Sequence, residues 1–229
     1  MTPLVVIRPE PGCSATVEAA ASAGLEAHGF PMFTFEPRDW TPPGAGETDA
    51  LIIGSAAAIR HGGEAIAAVR HLPVHAVGEI TAQIARAAGF SVASAGCGGL
   101  QRLLNTIPPG TRLLRLAGEE RVPLTLPTGV TMIERVVYDS KTLPMADALV
   151  RLMTTQAIVM LHSAAAARHF TAELERNDIA QAAIHLAALG PRIAEAAGLG
   201  WASVRSAESP NDAALLALAA QLCQTTSEI

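Results

Sequence analysis

Aromatic residues are scarce in this chain: five phenylalanines, two tryptophans and one tyrosine, Tyr138, among 229 residues. Any chemistry that needs a phenol must draw on Tyr138. The three cysteines, Cys13, Cys97 and Cys223, are odd in number and widely spaced. They exclude a disulfide framework and fit a reducing compartment, each read as a small packed residue. No run of about 18 uninterrupted apolar residues occurs, so no membrane span is expected. The start, Met1-Thr2-Pro3-Leu4, lacks the basic and apolar regions of a signal peptide, and a cytoplasmic location is expected. Basic residues are few and scattered in a chain of net charge −5, which argues against nucleic acid as a partner. No Gly-x-Ser-x-Gly elbow and no dinucleotide fingerprint is present. Gly96-Cys97-Gly98-Gly99 lacks the Lys-Ser/Thr of a phosphate loop and reads as a turn. Seven histidines are present, but none is paired at helical metal-ligand spacing beside a carboxylate, so no metal is expected.

What the chain does have is a repeat. The first copy runs from an apolar strand at 50–53 through Gly54-Ser55 and a helix start ending Arg60-His61. A second apolar run follows at 74–77, then Gly78, a helix over 80–88, and Gly89-Phe90. The second copy has a strand at 157–161, His162-Ser163, and a helix start ending Arg168-His169. It continues with an apolar run at 184–189, Gly190, a helix over 193–197, and Gly200-Trp201. The string Ser-Ala-Ala-Ala-x-Arg-His occupies the same place in both. Such self-similarity indicates two copies of one supersecondary unit. Half of the residues are apolar, enough for two cores.

Short continuous apolar strands alternating with helices indicate parallel sheets covered on both faces. The spacing predicts a strand at 4–7, a helix over 14–28 capped by Ser14 and closed by Gly29, and a strand at 32–36. A Pro- and Gly-rich stretch at 37–48 reads as a linker. Further strands are expected at 112–116 and 130–138, with Gly118-Glu119-Glu120-Arg121 opening a helix between them. A second linker is expected at 139–144, and a last helix from 210 to about 223. The first 36 residues hold two strands, too few to fold alone, while the middle holds five and the rest three. The expected organisation is therefore two α/β lobes facing each other. One is discontinuous (1–36 and 142–229), the other spans 48–138, and segments 37–48 and 139–144 join them.

Ligands of open parallel sheets sit beyond the strands' carboxyl ends, where free N–H groups of helix N-termini attract anions. Four junctions share small residues that admit a ligand to the backbone: Gly54-Ser55-Ala56, Gly78-Glu79-Ile80-Thr81, His162-Ser163-Ala164 and Gly190-Pro191-Arg192. Ser55 and Ser163 also suit simple helix capping. His61 and His169 read as residues on solvated helix faces. Glu119-Glu120 reads as a pair of dipole-favoured carboxylates at a helix start. From the residues alone, the chain is a two-lobed α/β protein that binds an anionic small molecule.

The order of short motifs resembles the uroporphyrinogen-III synthase family over essentially the whole chain. The motifs are Ile7-Arg8-Pro9, Asp49-Ala50-Leu51-Ile52 before Gly54-Ser55-Ala56, and Ala76-Val77-Gly78-Glu79-Ile80-Thr81-Ala82. Further on they are Leu113 to Glu119, Val136-Val137-Tyr138, Ser163, and Ala188-Leu189-Gly190-Pro191. The resemblance implies two flavodoxin-like lobes and a cofactor-independent hydro-lyase. Such an enzyme closes hydroxymethylbilane to uroporphyrinogen III with ring D inverted and water lost. It implies Tyr138 as the catalytic proton donor. It implies Arg8, Ser55, Ala56, Gly78, Thr81, Gly118, Ser163, Ala164, Gly190, Pro191 and Arg192 as substrate-binding positions. It also implies a monomer in transient contact with the upstream deaminase. Ala57, Ala117 and Ile193 stand where members often carry Asn, Arg and Thr, with Arg115 and Arg192 as nearby cations, and His185 sits near a frequent basic position. The alternative from another class is a non-catalytic relative that holds a tetrapyrrole or another polyanion; an unrelated enzyme of a nucleotide or sugar phosphate is disfavoured by the missing phosphate loop.

Overall fold

The computed structural model describes residues 2–227. In chain order the elements begin β1 (Leu4–Val6), α1 (Gly12–Ser22), β2 (Ala27–Gly29) and β3 (Phe33–Pro37). Then come β4 (Ala50–Ile53), α2 (Ala57–Arg60), β5 (Val74–Val77), α3 (Glu79–Ala87), β6 (Val92–Gly96) and α4 (Leu100–Leu104). Next are β7 (Arg112–Gly118), β8 (Thr131–Thr142), α5 (Asp147–Met153), β9 (Ala157–Leu161) and α6 (Ala164–Arg176). The chain closes with β10 (Ile184–Ala188), α7 (Pro191–Ala196), β11 (Ser203–Ser206) and α8 (Asp212–Ser227). Contacts divide it into one unit holding residues up to Thr34 and from Thr142 onward, and a second holding Phe35–Lys141.

The first unit is a five-stranded sheet in the order β11-β10-β9-β1-β2, parallel throughout. The central strands β1, β9 and β10 are buried on both faces, and their alternate residues feed two cores. Val5, Ile7, Val159, Leu161 and Leu186 pack against Leu149, Phe170 and Leu174 on one side. Leu4, Val6, Ile158, Met160 and Ala187 pack against Leu215, Leu218 and Leu222 of α8 on the other. The second unit is a six-stranded sheet in the order β3-β8-β7-β4-β5-β6. Leu51, Ile53, Val74, Ala76 and Leu114 face a core with Ala82 and Ala85 of α3, and Ala50, Ile52 and Leu113 face Leu103 and Leu104 of α4.

The repeat is visible in both sheets. β4, β5 and β6 lie side by side in chain order, as do β9, β10 and β11. Two further strands flank the first strand of each triplet, but they come before it in the first unit (β1, β2) and after it in the second (β7, β8). The two units are thus circular rearrangements of one pattern, and the strand order reverses between β1 and β9 and between β4 and β7.

Several expected elements differ. The alanine-rich helix stops at Ser22, not near 28, because Gly24 adopts φ +75° and closes it, with Leu25 N–H bonding to the Ala20 carbonyl. Ala27–Gly29, expected as helix end, is instead the strand that pairs with β1. Ser14 is no cap: α1 starts at Gly12, and the Glu10 carboxylate accepts from both Ser14 N–H and its hydroxyl. The strand expected at 32–36 exists as β3, but it joins the six-stranded sheet beside β8. The second expected linker is strand as far as Thr142, the end of β8. No helix opens at Glu119. Residues after Gly118 follow an irregular path past Pro123 and Pro127, and arginines pin it. Arg115 donates to the Val122 carbonyl at 3.0 Å and Arg121 to the Glu119 carbonyl at 2.7 Å, both paired with Glu134.

Candidate functional site

In open parallel sheets the ligand position lies where strand order reverses. Both reversals here carry residues singled out in the sequence, and each unit is taken in turn.

In the second unit, β4 pairs with β7 with Ile53 opposite Leu116, and β7 pairs with β8 with Gly118 opposite Tyr138. Tyr138 is half-buried, and its ring lies over Gly118. A Cβ on that glycine would stand 2.6 Å from Cε2 and 2.7 Å from Cζ of the ring. The absence of a side chain there lets the phenol cross β7 toward Ser55 at the end of β4. The Ser55 oxygen also accepts from the Ala57 N–H at 3.2 Å. Burial pushes the Tyr138 phenol up from its ordinary value, and the influence of Ser55 opposes this only in part. The phenol is therefore protonated at neutral pH and available as a donor. Phe35 packs edge-on against it with ring centroids 5.2 Å apart, and His61 lies at 6.0 Å.

The two repeat histidines are thus not on solvated faces. His61 packs on Phe35 at 5.4 Å and His169 on Phe33 at 5.2 Å, both phenylalanines belonging to β3. His169 Nε2 also lies 2.8 Å from the Leu143 carbonyl oxygen. Burial, followed by the charge of Arg60, lowers the pKa of His61, so the ring beside Tyr138 is neutral at pH 7.

Ala56 is buried in the turn before α2. Gly78 takes φ +80° at the start of α3, a conformation open to glycine, and its N–H bonds to the Gly96 carbonyl at 2.8 Å. Thr81 is buried on the inner side of α3 with Ala82 and Ala85. Arg115, expected near the missing arginine at Ala117, is 4% exposed and bound to Glu134 at 2.8 Å. It is not free to meet a ligand.

In the first unit, Ser163 caps α6, its Oγ accepting from Ala166 N–H at 3.0 Å. Ser163 and Ala164 line a cavity of about 350 Å³ together with Leu189, Gly190, Pro191, Arg192, Ile193 and Pro210. Pro191 occupies the first turn of α7, where its missing N–H costs nothing. Arg192 is exposed at this cavity, and Ile193 gives it an apolar wall. Arg8, at the end of β1, bonds to Asp212 at 2.6 Å and to Thr16 at 3.4 Å. Between Arg8 and Ser163 lies His162, which sequence reasoning passed over. Its ring is buried, with Asp212 Oδ1 at 3.7 Å from Nε2.

Two expected results follow from the first unit. Ser163→Ala removes a cap contact worth about 1 kcal/mol, so thermal unfolding should show the midpoint lowered by roughly 3 °C. His162 titrates at about 4, lowered first by burial and then by Arg8, with Asp212 opposing. A histidine whose folded pKa is depressed adds no pH dependence above its unfolded value. Stability falls as pH drops from about 6.5 to about 4, because the unfolded chain takes the proton first. Melting curves across that window should show a slope that His162→Gln reduces; an unchanged slope would contradict the burial assigned to the ring.

Among the described residues, no group of three His, Cys, Asp or Glu could hold a metal ion, and no helix is long and apolar enough to cross a membrane.

Residues 14–217 match the sequence profile of the family described as HEM4, uroporphyrinogen-III synthase HemD. No curated protein matches the chain. Among solved structures, the uroporphyrinogen-III synthetase of Helicobacter pylori 26695 is similar with a TM-score of 0.66 at 17% identity, covering 97% of this chain and 100% of that one. A native crystal form of uroporphyrinogen III synthase from Thermus thermophilus aligns with a TM-score of 0.41 at 14% identity, covering 99% of this chain and 100% of that one. The first of these shows a shared α/β fold. The profile match spans most of the chain, which therefore belongs to the uroporphyrinogen-III synthase family, an enzyme family of tetrapyrrole biosynthesis acting on a small molecule.

Proposed function

We propose that this member of the uroporphyrinogen-III synthase family closes hydroxymethylbilane to uroporphyrinogen III, inverting ring D and releasing water, without a metal or cofactor. The observation that carries the reading is Tyr138. The single phenol of the chain is held protonated over Gly118, at the point where the strand order of its sheet reverses.

The chemistry needs a proton on the leaving hydroxyl. The Tyr138 O–H donates it, the C–O bond breaks, and water departs to leave an azafulvene. The electron-rich carbon of ring D that already bears the chain attacks, giving a spiro intermediate. The bond from the spiro carbon to its original bridge then breaks, the freed bridge carbon bonds to the other α-carbon of ring D, and the proton lost from that carbon on regaining pyrrole aromaticity restores the phenol. Gly118 and Phe35 fix the position of the ring. Uncatalysed closure takes the simpler route without inversion, so the protein's main contribution is to fix geometry. Groups suited to acetate and propionate carboxylates are, in the second unit, the backbone N–H groups at the helix starts after Ser55 and Gly78 and, in the first, those after Ser163 and Gly190 with Arg192. Amide donors suit a chain of net charge −5, which has no large cationic surface to offer.

A second reading, a relative that holds a tetrapyrrole without turning it over, is favoured by one observation. Arg115 is committed to Glu134, so nothing replaces the side-chain cation absent at Ala117. One assay separates the two. Hydroxymethylbilane is generated in situ by its deaminase, the protein is added, and the oxidised porphyrin isomers are separated by chromatography. Predominance of isomer III supports the cyclase; isomer I alone, at the spontaneous rate, leaves only the binding protein.

A further inference from the structure

Arg8, His162 and Asp212 meet at the strand ends where the order of the five-stranded sheet reverses. β1 and β9 are paired with Val6 opposite Met160, which sets Arg8 opposite His162 two residues on. Asp212 arrives from the first turn of α8. The His162 side chain is only 8% exposed, and neither ring nitrogen has a hydrogen-bond partner. At 3.7 Å, Asp212 Oδ1 is just beyond bonding distance. A buried polar ring with both nitrogens unsatisfied calls for an explanation. The Arg8–Asp212 pair beside it is the opposite case. Asp212 is 51% exposed, and an open ion pair is weakly held.

We propose that Arg8 is a carboxylate-binding position whose partner in this structure is Asp212, and that a ligand carboxylate arriving there displaces Asp212 onto His162, which takes up a proton. The inference rests on the reading of the ligand as a polycarboxylate tetrapyrrole. A carboxylate is the group this position already holds, and the cavity lined by Ser163 and Pro210 involves the chain neighbours of His162 and Asp212. Charge balances in the exchange. One carboxylate enters, one proton follows, the guanidinium keeps an anionic partner, and the imidazolium gains one. The groups acting on His162 are Arg8 from the end of β1, Asp212 from α8 and the backbone of Met160 in its own strand, which lies outside hydrogen-bond geometry. Glu10, beside α1, acts on neighbouring Cys13. Moving Asp212 by about 1 Å closes its gap to Nε2 to charge-assisted hydrogen-bond distance. The uptake of a proton also lets a chain of net charge −5 accept a polyanion without accumulating the full negative charge.

The test is calorimetric titration of the protein with uroporphyrinogen III, kept reduced under nitrogen, at pH 7 in buffers of different ionisation enthalpy. Wild type should take up about one proton more per ligand than His162→Gln. Asp212→Asn should bind up to about fivefold tighter, since its amide competes less well for Arg8, and should lose the extra proton. Equal uptake by wild type and His162→Gln, unchanged or weaker binding by Asp212→Asn, or no binding by wild type would overturn the proposal. Should His162→Gln fail to fold, Asp212→Asn, changed at a half-exposed first turn, decides alone. Binding with the proton linkage but without formation of isomer III would sink the cyclase reading and keep this site. Isomer III formed without the linkage would do the reverse.

Discussion

Tyr138→Phe should lower turnover of hydroxymethylbilane by about 10²- to 10⁴-fold, the usual contribution of a positioned general acid. It should leave affinity for the product nearly unchanged. The phenyl ring still fills the space over Gly118 and against Phe35, so packing survives and only the hydroxyl is lost. Isomer-resolved product analysis gives the turnover and titration with uroporphyrinogen III gives the affinity. Retained formation of isomer III would remove the phenol from the mechanism. A parallel loss of affinity would make Tyr138 a binding residue. Because Tyr138 is the single tyrosine, the ultraviolet titration of tyrosinate reports on it alone, and its midpoint should lie above 10.0, the direction burial dictates.

Gly118→Ala should be nearly as damaging, although no ligand need touch the added methyl. The Cβ would stand 2.6 Å from the Tyr138 ring, closer than real contacts allow, so the ring must swing off β7 and away from Ser55. Overpacking of this kind costs about 1–3 kcal/mol of stability. A displacement of about 1 Å in a catalytic group costs about 100-fold in rate. The loss should fall on kcat more than KM. The tyrosinate midpoint should move downward as the ring becomes more exposed. In the Tyr138→Phe background the same change should add little to the loss of turnover, because the group it misplaces is already gone. A Gly118→Ala protein with normal turnover and an unmoved titration would show that the phenol does not depend on this close approach.

These two residues illustrate what is legible along the chain. Tyr138 stands out because tyrosine occurs once, but the strand end expected there is corrected by the structure, in which β8 runs on to Thr142. Gly118 lies within a motif, but its service to Tyr138 depends on a strand register that pairs residues twenty positions apart. The same contrast holds for Ser163, whose cap is a local pattern, against Asp212, which reads in sequence as an ordinary helix start. Its contacts with Arg8, 204 residues away, and His162 exist only once the sheet is assembled.

Patterns of near neighbours were determined by the sequence itself. The apolar runs at 50–53 and 157–161 coincide with β4 and β9, because a short strand buried on both faces is continuously apolar, and the run at 74–77 coincides with β5, whose His75 is only partly buried. The repeat announced two copies of one unit, and the scarcity of tyrosine and of basic clusters narrowed the chemistry. Tertiary structure decided the rest. It assigned Ala27–Gly29 to β2 despite a helix-favouring composition, because a three-residue strand gains its stability from β1 and not from its own residues. It drew Phe33–Pro37 into the six-stranded sheet, placed His61 and His169 against ring partners, and left His162 unsatisfied beside a weak ion pair. Strand and helix periods are set by adjacent residues and can be read along the chain, whereas pairing, burial and the company a titratable group keeps are set by residues that only folding brings together.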